Sequence, residues 1–537
     1  MDMNIKSLSD KEKWNKIGVE VPKFDINQTA LNTDARAEWV HFGAGNIFRG
    51  FIANINQRLL NKNLVDTGIV AVDTFDFDII DKIYKPFDNL TMLVSLNSDG
   101  TNKKEIMAGV SRAYKGSSQY DDYNKLIEIF ENDSLKMVSF TITEKGYSLK
   151  NITGEYLDVV SSDISNGPDS PKHVISIITS LVYKRYLSAK KKLALCSMDN
   201  CSHNGEVLKK SVINMATEWL NNNYVEEDFI TYLNDENYIS FPWSMIDKIT
   251  PRPDDSICSD LEQSGLNNMK PIVTSVNTYI APFVNAEVAE YLVIENNFPN
   301  GSIPLNEGGV YLTDRDTVNK TETMKVTTCL NPLHTALAVY GCLLGYDRIY
   351  KEMNDPLLSN LVKKIGYEEG LKVVVDPKII SPKEFIDEVI NERLTNPFIP
   401  DDPARIATDT SQKVGIRFGE TIKSYIKSEE LDVQNLVYIP LAIAGWMRYL
   451  LGVDDNGNTL SLSPDPMLDQ LTLVLSSIKL GGEYNNELTS ILTNETIFGV
   501  NLVECGLSNK IEEMFIKMIV GNNAVHNTLN EYLGKEI

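Results

Sequence analysis

The densest group of residues that could carry out chemistry lies in the segment ETMKVTTCLNPLH, residues 322–334. This segment places a lysine, an amide and a histidine within ten residues: Lys325, Asn331 and His334. A lysine can carry a proton, an amide can donate a hydrogen bond to a developing oxyanion, and a histidine can orient a substrate group. Each of these residues alone is more often a surface or packing residue. Together they indicate proton transfer at an alcohol or carbonyl oxygen.

A helix must position two of these residues. Pro332 lacks an N–H group and disfavours helical φ/ψ at the residue before it, so the sequence predicts a helix over residues 332–344 with Asn331 as its N-cap. Asn331 and His334 would then lie one turn apart at the helix N-terminus. Developing negative charge is stabilised at such a terminus, and an alkoxide would be favoured there.

A turn with two glycines follows the first predicted strand. In HFGAGNIFRG, residues 41–50, Gly43 would allow a sharp turn and Gly45 would let backbone N–H groups approach a pyrophosphate at the start of a helix. The third glycine of the dinucleotide pattern is absent, since Phe48 takes its place and the next glycine is Gly50. The turn alone is equally compatible with dinucleotide binding and with an ordinary strand-to-helix connection.

Acidic residues after the second predicted strand indicate which dinucleotide would bind. Asp73 ends the run GIVAVD, where a carboxylate can accept hydrogen bonds from the adenosine ribose hydroxyls and would repel a 2′-phosphate. This favours NAD over NADP, although an Asp after a strand is also a common cap or turn residue. Asp76 and Asp78 are close enough in sequence to share or take this role.

The two halves of the chain have different secondary-structure patterns. Before about residue 300, short β-type runs alternate with helical stretches, which is typical of a parallel sheet covered on both faces. The second half is dominated by capped amphipathic helices, such as residues 381–394, in which Ser381 is the predicted N-cap and Phe385, Ile386, Val389 and Ile390 the buried face. The predicted strands are Trp39–Phe42, Ile69–Asp73, residues 136–143 and Leu193–Ser197, with a helix over residues 47–60.

These patterns predict an α/β protein with two domains. Residues 1–300 would form a Rossmann-type domain with an N-terminal extension, and residues 301–537 a mostly helical domain. The Pro- and Gly-rich residues 298–309 are the predicted connection between them. A chain of 537 residues with 42% hydrophobic content is long enough for each domain to bury its own core.

Charge and hydropathy exclude several classes of function. The formal net charge of -23 opposes binding to nucleic acid and to anionic lipid, and an acidic substrate would need local Arg and Lys residues. The longest uncharged apolar stretch, residues 436–447, contains Pro440 and is too short to span a bilayer, so it predicts a buried helix or helix pair. No secretory signal is evident, and the six scattered cysteines predict free thiols in a cytoplasmic protein.

Six segments, in the same order, resemble the mannitol dehydrogenase family, also called the polyol-specific long-chain dehydrogenases. They are GAGNIFR (43–49), TITEKGY (141–147), SMDN with the following NG (197–205), FPWSMIDKI (241–249), the Lys325 segment and RIATDTSQK (405–413). The family includes mannitol dehydrogenases, fructuronate reductases and tagaturonate reductases, and the resemblance covers nearly the whole chain. It implies zinc-independent hydride transfer between the nicotinamide ring of NAD and a secondary alcohol carbon.

The resemblance also implies roles for individual residues. Lys325 is similar in position to the general acid/base lysine, and Glu322 to a carboxylate that relays protons. Asn200 and Asn331 resemble the amides that hold the alkoxide, and His334 resembles a histidine that orients the substrate. The implied substrate-binding residues are Asp247, Arg405 and Lys413, and the implied cofactor-binding residues are Gly43, Gly45, Asn46, Ile47, Phe48, Arg49, Asp73, Thr143 and Glu144.

The lysine segment departs from the family pattern in two ways. The spacing from Lys325 to Asn331 is one residue longer than usual, and Pro332 replaces the glycine that usually follows the asparagine. If residues 325–330 are not helical, the additional residue can be absorbed without misdirecting Lys325. In a regular helix it would rotate the lysine by about 100° and weaken the assignment.

Within the family, the chain most resembles the fructuronate reductases, above all in residues 241–253 and 325–346. This resemblance favours the reduction of D-fructuronate to D-mannonate with NADH. Mannitol 2-dehydrogenase and tagaturonate reductase activities remain alternatives, because polyol-specific members of the family also resemble this chain at Arg405 and Lys413. The substrate is expected to be a small molecule, and the protein a monomer or a small homo-oligomer. The candidates to bind a substrate carboxylate are Arg405, Lys413, Arg49 and Arg252.

Two other classes of protein are less well supported by the sequence. A zinc-dependent alcohol dehydrogenase would need ligands such as Cys196, Cys201 and His203, whose spacing matches no paired CxxC arrangement, and no metal is expected. A sensor protein that binds NAD without turnover would keep the fold. Such a sensor would not need Lys325 or Asn331, because NAD binding uses neither residue.

Overall fold

The computed structural model describes residues 1–534, which form two compact units. The N-terminal unit comprises residues 1–96 and 101–319, and the C-terminal unit comprises residues 97–100 and the chain from Lys320 onward. The predicted boundary at residue 300 is therefore too early. The reason is that strand Tyr311–Thr313 pairs in parallel with Tyr291–Glu295, which keeps the intervening residues in the N-terminal unit.

The N-terminal unit contains four sheets. Their strands are β1 (Val19–Glu20), β2 (Trp39–Phe42), β3 (Ile69–Asp73), β4 (Thr91–Leu96), β5 (Asn102–Met107), β6 (Val110–Lys115), β7 (Met137–Phe140), β8 (Leu193–Ser197), β9 (Ile239–Ser240), β10 (Ser244–Asp247), β11 (Ile272–Val273), β12 (Tyr279–Ile280), β13 (Phe283–Glu287), β14 (Tyr291–Glu295) and β15 (Tyr311–Thr313). The largest sheet is parallel and has the order β6-β3-β2-β7-β8-β9. The smaller sheets have the orders β1-β5-β4-β13, β10-β14-β15 and β11-β12.

The central strands of the parallel sheet match the sequence prediction. The predicted bounds of β2, β3 and β8 are confirmed, and every residue of these strands is buried, as expected for strands covered on both faces. The predicted strand over residues 136–143 is shorter, and β7 ends at Phe140. A regular strand cannot extend to residue 143, because Thr143 takes a left-handed conformation (φ 64°).

Helices cover both faces of this sheet. Val40 and Phe42 pack with one hydrophobic cluster, which also contains residues of the helices Asp122–Glu131, Val174–Leu187 and Asn204–Asn221. Trp39 and Ala71 pack with a second cluster that contains residues of the helix Ala53–Asn61. The predicted doubly wound, Rossmann-type architecture is thus confirmed. The helices that begin in this unit are α1 (Lys11–Lys16), α2 (Ile26–Arg36), α3 (Ala53–Asn61), α4 (Phe77–Ile79), α5 (Asp122–Glu131), α6 (Thr143–Tyr147), α7 (Asp158–Asn166), α8 (Val174–Leu187), α9 (Asn204–Asn221), α10 (Glu227–Asn234), α11 (Asp255–Gln263) and α12 (Arg315–Met324).

The C-terminal unit is helical, as predicted. Its helices are α13 (Asn331–Leu344), α14 (Ile349–Met353), α15 (Pro356–Lys363), α16 (Pro382–Glu388), α17 (Pro403–Ile406), α18 (Glu420–Lys427), α19 (Tyr438–Tyr449), α20 (Leu468–Leu475), α21 (Thr489–Leu492), α22 (Glu495–Phe498), α23 (Ser508–Met518) and α24 (Ala524–Leu533). π-helical turns interrupt or extend several helices of both units, at Phe48–Ile52, Ile80–Tyr84, Lys325–Cys329, Lys364–Gly370, Val389–Arg393 and Gly415–Gly419.

Two local predictions in this unit are confirmed. Ser381 caps α16, because its Oγ accepts a hydrogen bond from the backbone N–H of Glu384 (3.3 Å), and the predicted apolar face of this segment is buried. The apolar stretch at residues 436–447 forms the buried helix α19. Within residues 1–534, no helix has the length and apolar character needed to cross a membrane.

The helix α14 carries a carboxyl group, that of Glu352, in the core of the C-terminal unit. Glu352 is fully buried, and neither of its carboxyl oxygens has a hydrogen-bond partner among residues 1–534. Burial, reinforced by the charges of Asp355 and Asp402, raises the pKa of Glu352 far above its ordinary value of 4.5. The folded protein therefore holds this group protonated where the unfolded chain would ionise it.

We expect Glu352→Gln to stabilise the protein increasingly as the pH rises. Because the folded pKa is raised, the stability contributed by protonated Glu352 is complete below about pH 4.5 and is lost as the pH rises through the folded pKa. Each unit of that shift corresponds to about 1.4 kcal/mol. Denaturant unfolding at pH 4 to 8 would measure the difference, with exposed Glu429→Gln as the control. Equal stabilities of the variant and the parent at every pH would contradict this prediction.

Candidate active site

The turn after β2 has the geometry predicted for a dinucleotide turn. Gly43 has a φ of 107°, and a Cβ atom there would lie 2.1 Å from the carbonyl oxygen of Thr141, so only glycine fits. At Gly45 the corresponding Cβ position is open, since within residues 1–534 nothing beyond the local backbone and the two chain neighbours lies within 4 Å of it. The chain becomes helical at Asn46. Backbone N–H groups at this helix start are therefore open to an approaching anion.

Two residues that were predicted to bind the cofactor are instead buried in the N-terminal unit. The ring of Phe48 stacks on His41 with a centroid distance of 4.1 Å and is fully buried. The guanidinium of Arg49 donates to the carbonyl oxygen of Ala281 and to the Asn46 side chain, each at 2.8 Å, and burial lowers the pKa of Arg49 to about 10. Phe48 can offer only its backbone, and Arg49 acts by positioning Asn46. Burial also removes Arg49 as a candidate to bind a substrate carboxylate.

Asp73 lies at the end of β3, beside the glycine turn. Its Oδ1 accepts hydrogen bonds from the backbone N–H groups of Phe75 (2.9 Å) and Asp76 (2.7 Å), and its Oδ2 lies 3.4 Å from the backbone nitrogen of Ala44. Burial raises the pKa of Asp73, and these amides act in the opposite direction. One carboxylate oxygen thus orders the loop, while the other faces the turn where a ribose is expected.

The neighbouring acidic residues have other partners. Asp78 accepts hydrogen bonds from Lys82 Nζ (2.9 Å) and from the backbone N–H of Ser275 (2.8 Å). Asp76 Oδ2 accepts a hydrogen bond from the Thr274 hydroxyl at 2.7 Å. Of the three carboxylates, Asp73 therefore remains the best candidate to bind the ribose.

We expect Asp73→Asn to weaken NADH binding by about 10- to 100-fold and to improve NADPH binding relative to NADH. The amide keeps an acceptor for the loop but removes the charge that favours ribose hydroxyls and repels a 2′-phosphate. Fluorescence titration with both cofactors would measure this effect. Asp78→Asn, whose carboxylate is held by Lys82, is the matched control. An unchanged ratio of the two affinities in Asp73→Asn would contradict the assignment.

A partly buried aspartate that was not predicted, Asp199, organises the loop after β7. The carboxylate of Asp199 accepts hydrogen bonds from the backbone N–H groups of Ile142 (2.9 Å) and Thr143 (3.0 Å) and from the Tyr147 hydroxyl (2.6 Å). Thr143, one of the predicted cofactor-binding residues, has a positive φ, which is rare for a β-branched residue. Asp199 therefore holds the strained segment that carries Thr143 and Glu144.

The turn that carries Asn200 is held by side chains from two other elements. Asn204 Nδ2 donates to the carbonyl oxygens of Asp199 (2.9 Å) and Ser244 (3.0 Å), and Asn204 Oδ1 accepts from the backbone N–H of Ser244 (3.0 Å). Ser244 begins β10, and Asp247 ends the same strand and is buried. Asn204 therefore ties the turn that carries Asn200 to the strand that ends at Asp247.

Lys325 lies in a π-helical turn that directly follows α12. The backbone N–H of Leu330 donates to the carbonyl oxygen of Lys325 at 3.1 Å, five residues back, which closes the turn. A π turn holds one residue more than an α turn and is frequently found at functional sites. The additional residue between Lys325 and Asn331 is absorbed in this way, so the segment is neither non-helical nor a regular α-helix.

The helix that carries Asn331 and His334 begins one residue earlier than predicted. Asn331 is the first residue of α13, and the cap is Leu330 (φ −131°, ψ −62°), whose carbonyl oxygen accepts from the backbone N–H of His334 at 3.1 Å. The break falls at Leu330 because the π turn ends there. Asn331 and His334 still lie one turn apart in the first turn of α13. Lys325 is 3% exposed, and Glu322 lies on α12, one turn before it.

A second residue that was not predicted, Asp401, connects two that were. His334 Nε2 lies 3.2 Å from Asp401 Oδ2, and Arg405 forms an ion pair with the other oxygen of Asp401. Burial would raise the pKa of Asp401, but interactions with His334 and Arg405 outweigh it and hold this pKa below its usual value. The charged Asp401 therefore lies beside the His334 ring and anchors the otherwise exposed Arg405.

Two further cations lie next to this group. Lys413 donates to the carbonyl oxygen of Thr408, and burial together with the charge of Arg417 lowers the pKa of Lys413. Arg417 Nη1 donates to the hydroxyl of Thr335, the residue after His334. Arg417 was not among the predicted site residues.

The residues considered as zinc ligands have other roles. Cys196 lies in the core of the N-terminal unit, and burial raises the pKa of its thiol. His203 Nε2 is 3.1 Å from Asn319 Oδ1, and its ring packs against Trp243 at a centroid distance of 4.4 Å. Arg252, the remaining candidate to bind a carboxylate, lines an open depression with Asp254 and Asp255, whose charges would disfavour an anion.

The dinucleotide turn on a parallel sheet and the helical unit with Lys325, Asn331 and His334 define a two-domain dehydrogenase architecture. The Rossmann domain of mannitol dehydrogenases matches residues 37–307, and the mannitol dehydrogenase C-terminal domain matches residues 317–518. The chain belongs to the mannitol dehydrogenase family.

Individual relatives agree with this assignment. The chain is 52% identical to the D-mannonate oxidoreductase of Thermotoga maritima, and the match covers 100% of both chains. Among solved structures, a D-sorbitol dehydrogenase is similar with a TM-score of 0.79 at 24% identity, covering 95% of this chain and 97% of that one. The mannitol 2-dehydrogenase of Pseudomonas fluorescens has a TM-score of 0.70 at 24% identity and full coverage of both chains. These two structures support the fold.

Proposed function

We propose that this chain is an NAD-dependent oxidoreductase that reduces D-fructuronate to D-mannonate and catalyses the reverse reaction. The observation that carries the proposal is the 52% identity, over the whole length of both proteins, to a D-mannonate oxidoreductase. Mannonate carries a carboxylate, so its binding requires local cations in a protein whose net charge is -23. The C-terminal unit provides such cations at Arg405, Lys413 and Arg417.

The N-terminal unit fits a dinucleotide. The open position at Gly45 would let a pyrophosphate approach the backbone, and Asp73 Oδ2, which lies 3.4 Å from the backbone nitrogen of Ala44, would accept from ribose hydroxyls, which favours NAD. When bound, NADH supplies the hydride that is added to the ketone carbon. The residues proposed to hold it are Gly43, Gly45, Asn46, Ile47, Asp73, Thr143 and Glu144, with Phe48 through its backbone.

Proton transfer in this mechanism is assigned to Lys325. When the ketone is reduced, the Lys325 ammonium would donate its proton to the ketone oxygen, which becomes the new hydroxyl, and in the oxidation the neutral lysine would take this proton back. Asn200 and Asn331 donate N–H groups to this oxygen, where negative charge develops. Glu322 relays the proton, His334 and Asp247 orient the substrate hydroxyls, and Asp401 holds His334 in place.

The proposal is tested by steady-state kinetics of the purified protein with D-fructuronate, D-tagaturonate and D-fructose, followed by the loss of NADH absorbance. We expect the highest kcat/KM with fructuronate. A preference for tagaturonate or fructose would assign the chain to another branch of the family. Binding of NADH without turnover of any of the three would support the sensor alternative and overturn the proposal.

We further propose that the protein acts in the cytoplasm on a small-molecule substrate, as a monomer or a small homo-oligomer. All six cysteines are free thiols, which suits a reducing compartment. The net charge of -23 opposes association with nucleic acid or an anionic lipid surface. Light scattering of the purified protein would determine its oligomeric state.

A further inference from the structure

Arg417 is a partly buried cation that has no carboxylate partner within the described part of the chain. It lies in the π-helical turn Gly415–Gly419 of the C-terminal unit, and its Nη1 donates to the Thr335 hydroxyl. Among residues 1–534, no Asp or Glu forms an ion pair with it. Burial lowers the pKa of Arg417 to about 10, and no neighbouring carboxylate counteracts this shift. A partly dehydrated guanidinium interacts strongly with an anionic ligand that reaches it, because water screens the charge less there.

Other buried arginines of the chain show the contrast. Arg185 donates to the carbonyl oxygens of Phe130, Leu135 and other residues, and Arg448 donates to the carbonyl oxygens of Met518, Val453 and Asp454. Those guanidinium groups are neutralised by backbone dipoles and have structural roles. Among residues 1–534, Arg417 has only the Thr335 hydroxyl as an acceptor, and its nitrogen atoms that lack a hydrogen bond are not fully buried. Its remaining N–H groups are therefore available to a ligand.

The surroundings of Arg417 belong to the proposed substrate site. Thr335 follows His334 on α13, so the bond from Arg417 places the guanidinium beside the first turn of that helix. The charges of Arg417 and Arg405 both act to lower the pKa of Lys413. Three cations thus share one neighbourhood, and only Arg405 is paired with a carboxylate, that of Asp401.

We propose that Arg417, assisted by Lys413, binds the carboxylate of the sugar acid and thereby selects uronates over neutral ketoses. This inference rests on the proposed function. A guanidinium can bind a carboxylate through two parallel hydrogen bonds. A neutral ketose would leave the Arg417 guanidinium without a counterion. A site that is built to bind a charged group of its substrate rejects analogues that lack this group.

The test compares Arg417→Gln and Arg417→Lys with the unaltered protein. We expect Arg417→Gln to raise KM for fructuronate by about 10- to 100-fold with a smaller change in kcat, because a charge-assisted bond that holds the substrate is lost. Arg417→Lys should recover part of this loss. Calorimetric titration of the NADH-bound protein with D-mannonate, a pair that cannot react, should show the same ranking, whereas D-mannitol binding should be nearly unchanged. Exposed Lys427→Gln, which removes the same charge from α18, is the matched control.

The outcomes separate this inference from the proposed function. If the unaltered protein does not reduce fructuronate, the proposed function fails. If it does, but Arg417→Gln leaves KM and mannonate affinity unchanged, or weakens mannonate and mannitol equally, the role of Arg417 is overturned. Thermal melting of each variant shows whether the fold is intact, and Arg417→Lys serves as the comparison if Arg417→Gln does not fold.

Discussion

Replacing Lys325 with Ala is expected to reduce kcat for fructuronate reduction by about 10²- to 10⁴-fold, the usual contribution of a positioned general acid. Lys325 is almost completely buried in its π turn, so water cannot readily take over its role. Binding of NADH should be unchanged, because the cofactor residues belong to the N-terminal unit. Steady-state kinetics and a fluorescence titration with NADH would measure both quantities.

Two controls accompany this variant. Lys383→Ala removes an exposed lysine that is paired with Asp387 and should leave kcat unchanged. Methylamine added to Lys325→Ala should restore part of the rate, since a small ammonium can enter the space left by the side chain and supply the proton. Activity of Lys325→Ala within about threefold of the parent would show that another group transfers the proton.

The second large effect is expected at Asn331. Asn331→Ala should lower kcat by about 10²- to 10³-fold, as does the loss of one hydrogen-bond donor to a developing oxyanion. Asn331→Asp should be more damaging, because a carboxylate would repel the alkoxide that the first turn of α13 is proposed to stabilise. Steady-state kinetics with fructuronate measures both variants.

Exposed Asn391→Ala, in another turn of the same unit, is the control for Asn331→Ala. Thermal melting identifies variants whose fold has changed. If Asn331→Ala altered KM but not kcat, the amide would bind the ground state and the transition state equally, and its assignment as an alkoxide donor would be wrong.

The features that the sequence predicts best are those that depend only on residues adjacent in the chain. The bounds of β2, β3 and β8 followed from short apolar runs, because strands buried on both faces need continuous apolar sequence. The turn at Gly43 followed from the steric requirement for glycine, and the position of Asp73 from the end of its strand. Each of these inferences uses residues that are adjacent in the chain.

Features that depend on distant residues or on rare geometry were not predictable in the same way. Asp401 is far in sequence from His334, and Arg417 is far from Thr335, so no spacing rule links either pair. Burial of Arg49 depends on Ala281, again a distant contact.

The π turn at Lys325 has no sequence signature of its own. It was visible only as one additional residue before Asn331. Whether that residue would be absorbed by an irregular segment or would rotate the lysine out of place could not be decided without the backbone.

The most direct test of the central claim follows the hydride itself. The purified protein is incubated with D-fructuronate and NADH that carries deuterium at the transferable position of the nicotinamide ring, and the product is examined by mass spectrometry and compared with authentic D-mannonate. The account predicts D-mannonate with a single deuterium on the carbon that bears the new hydroxyl group. A product without deuterium, or a product other than D-mannonate, would contradict it.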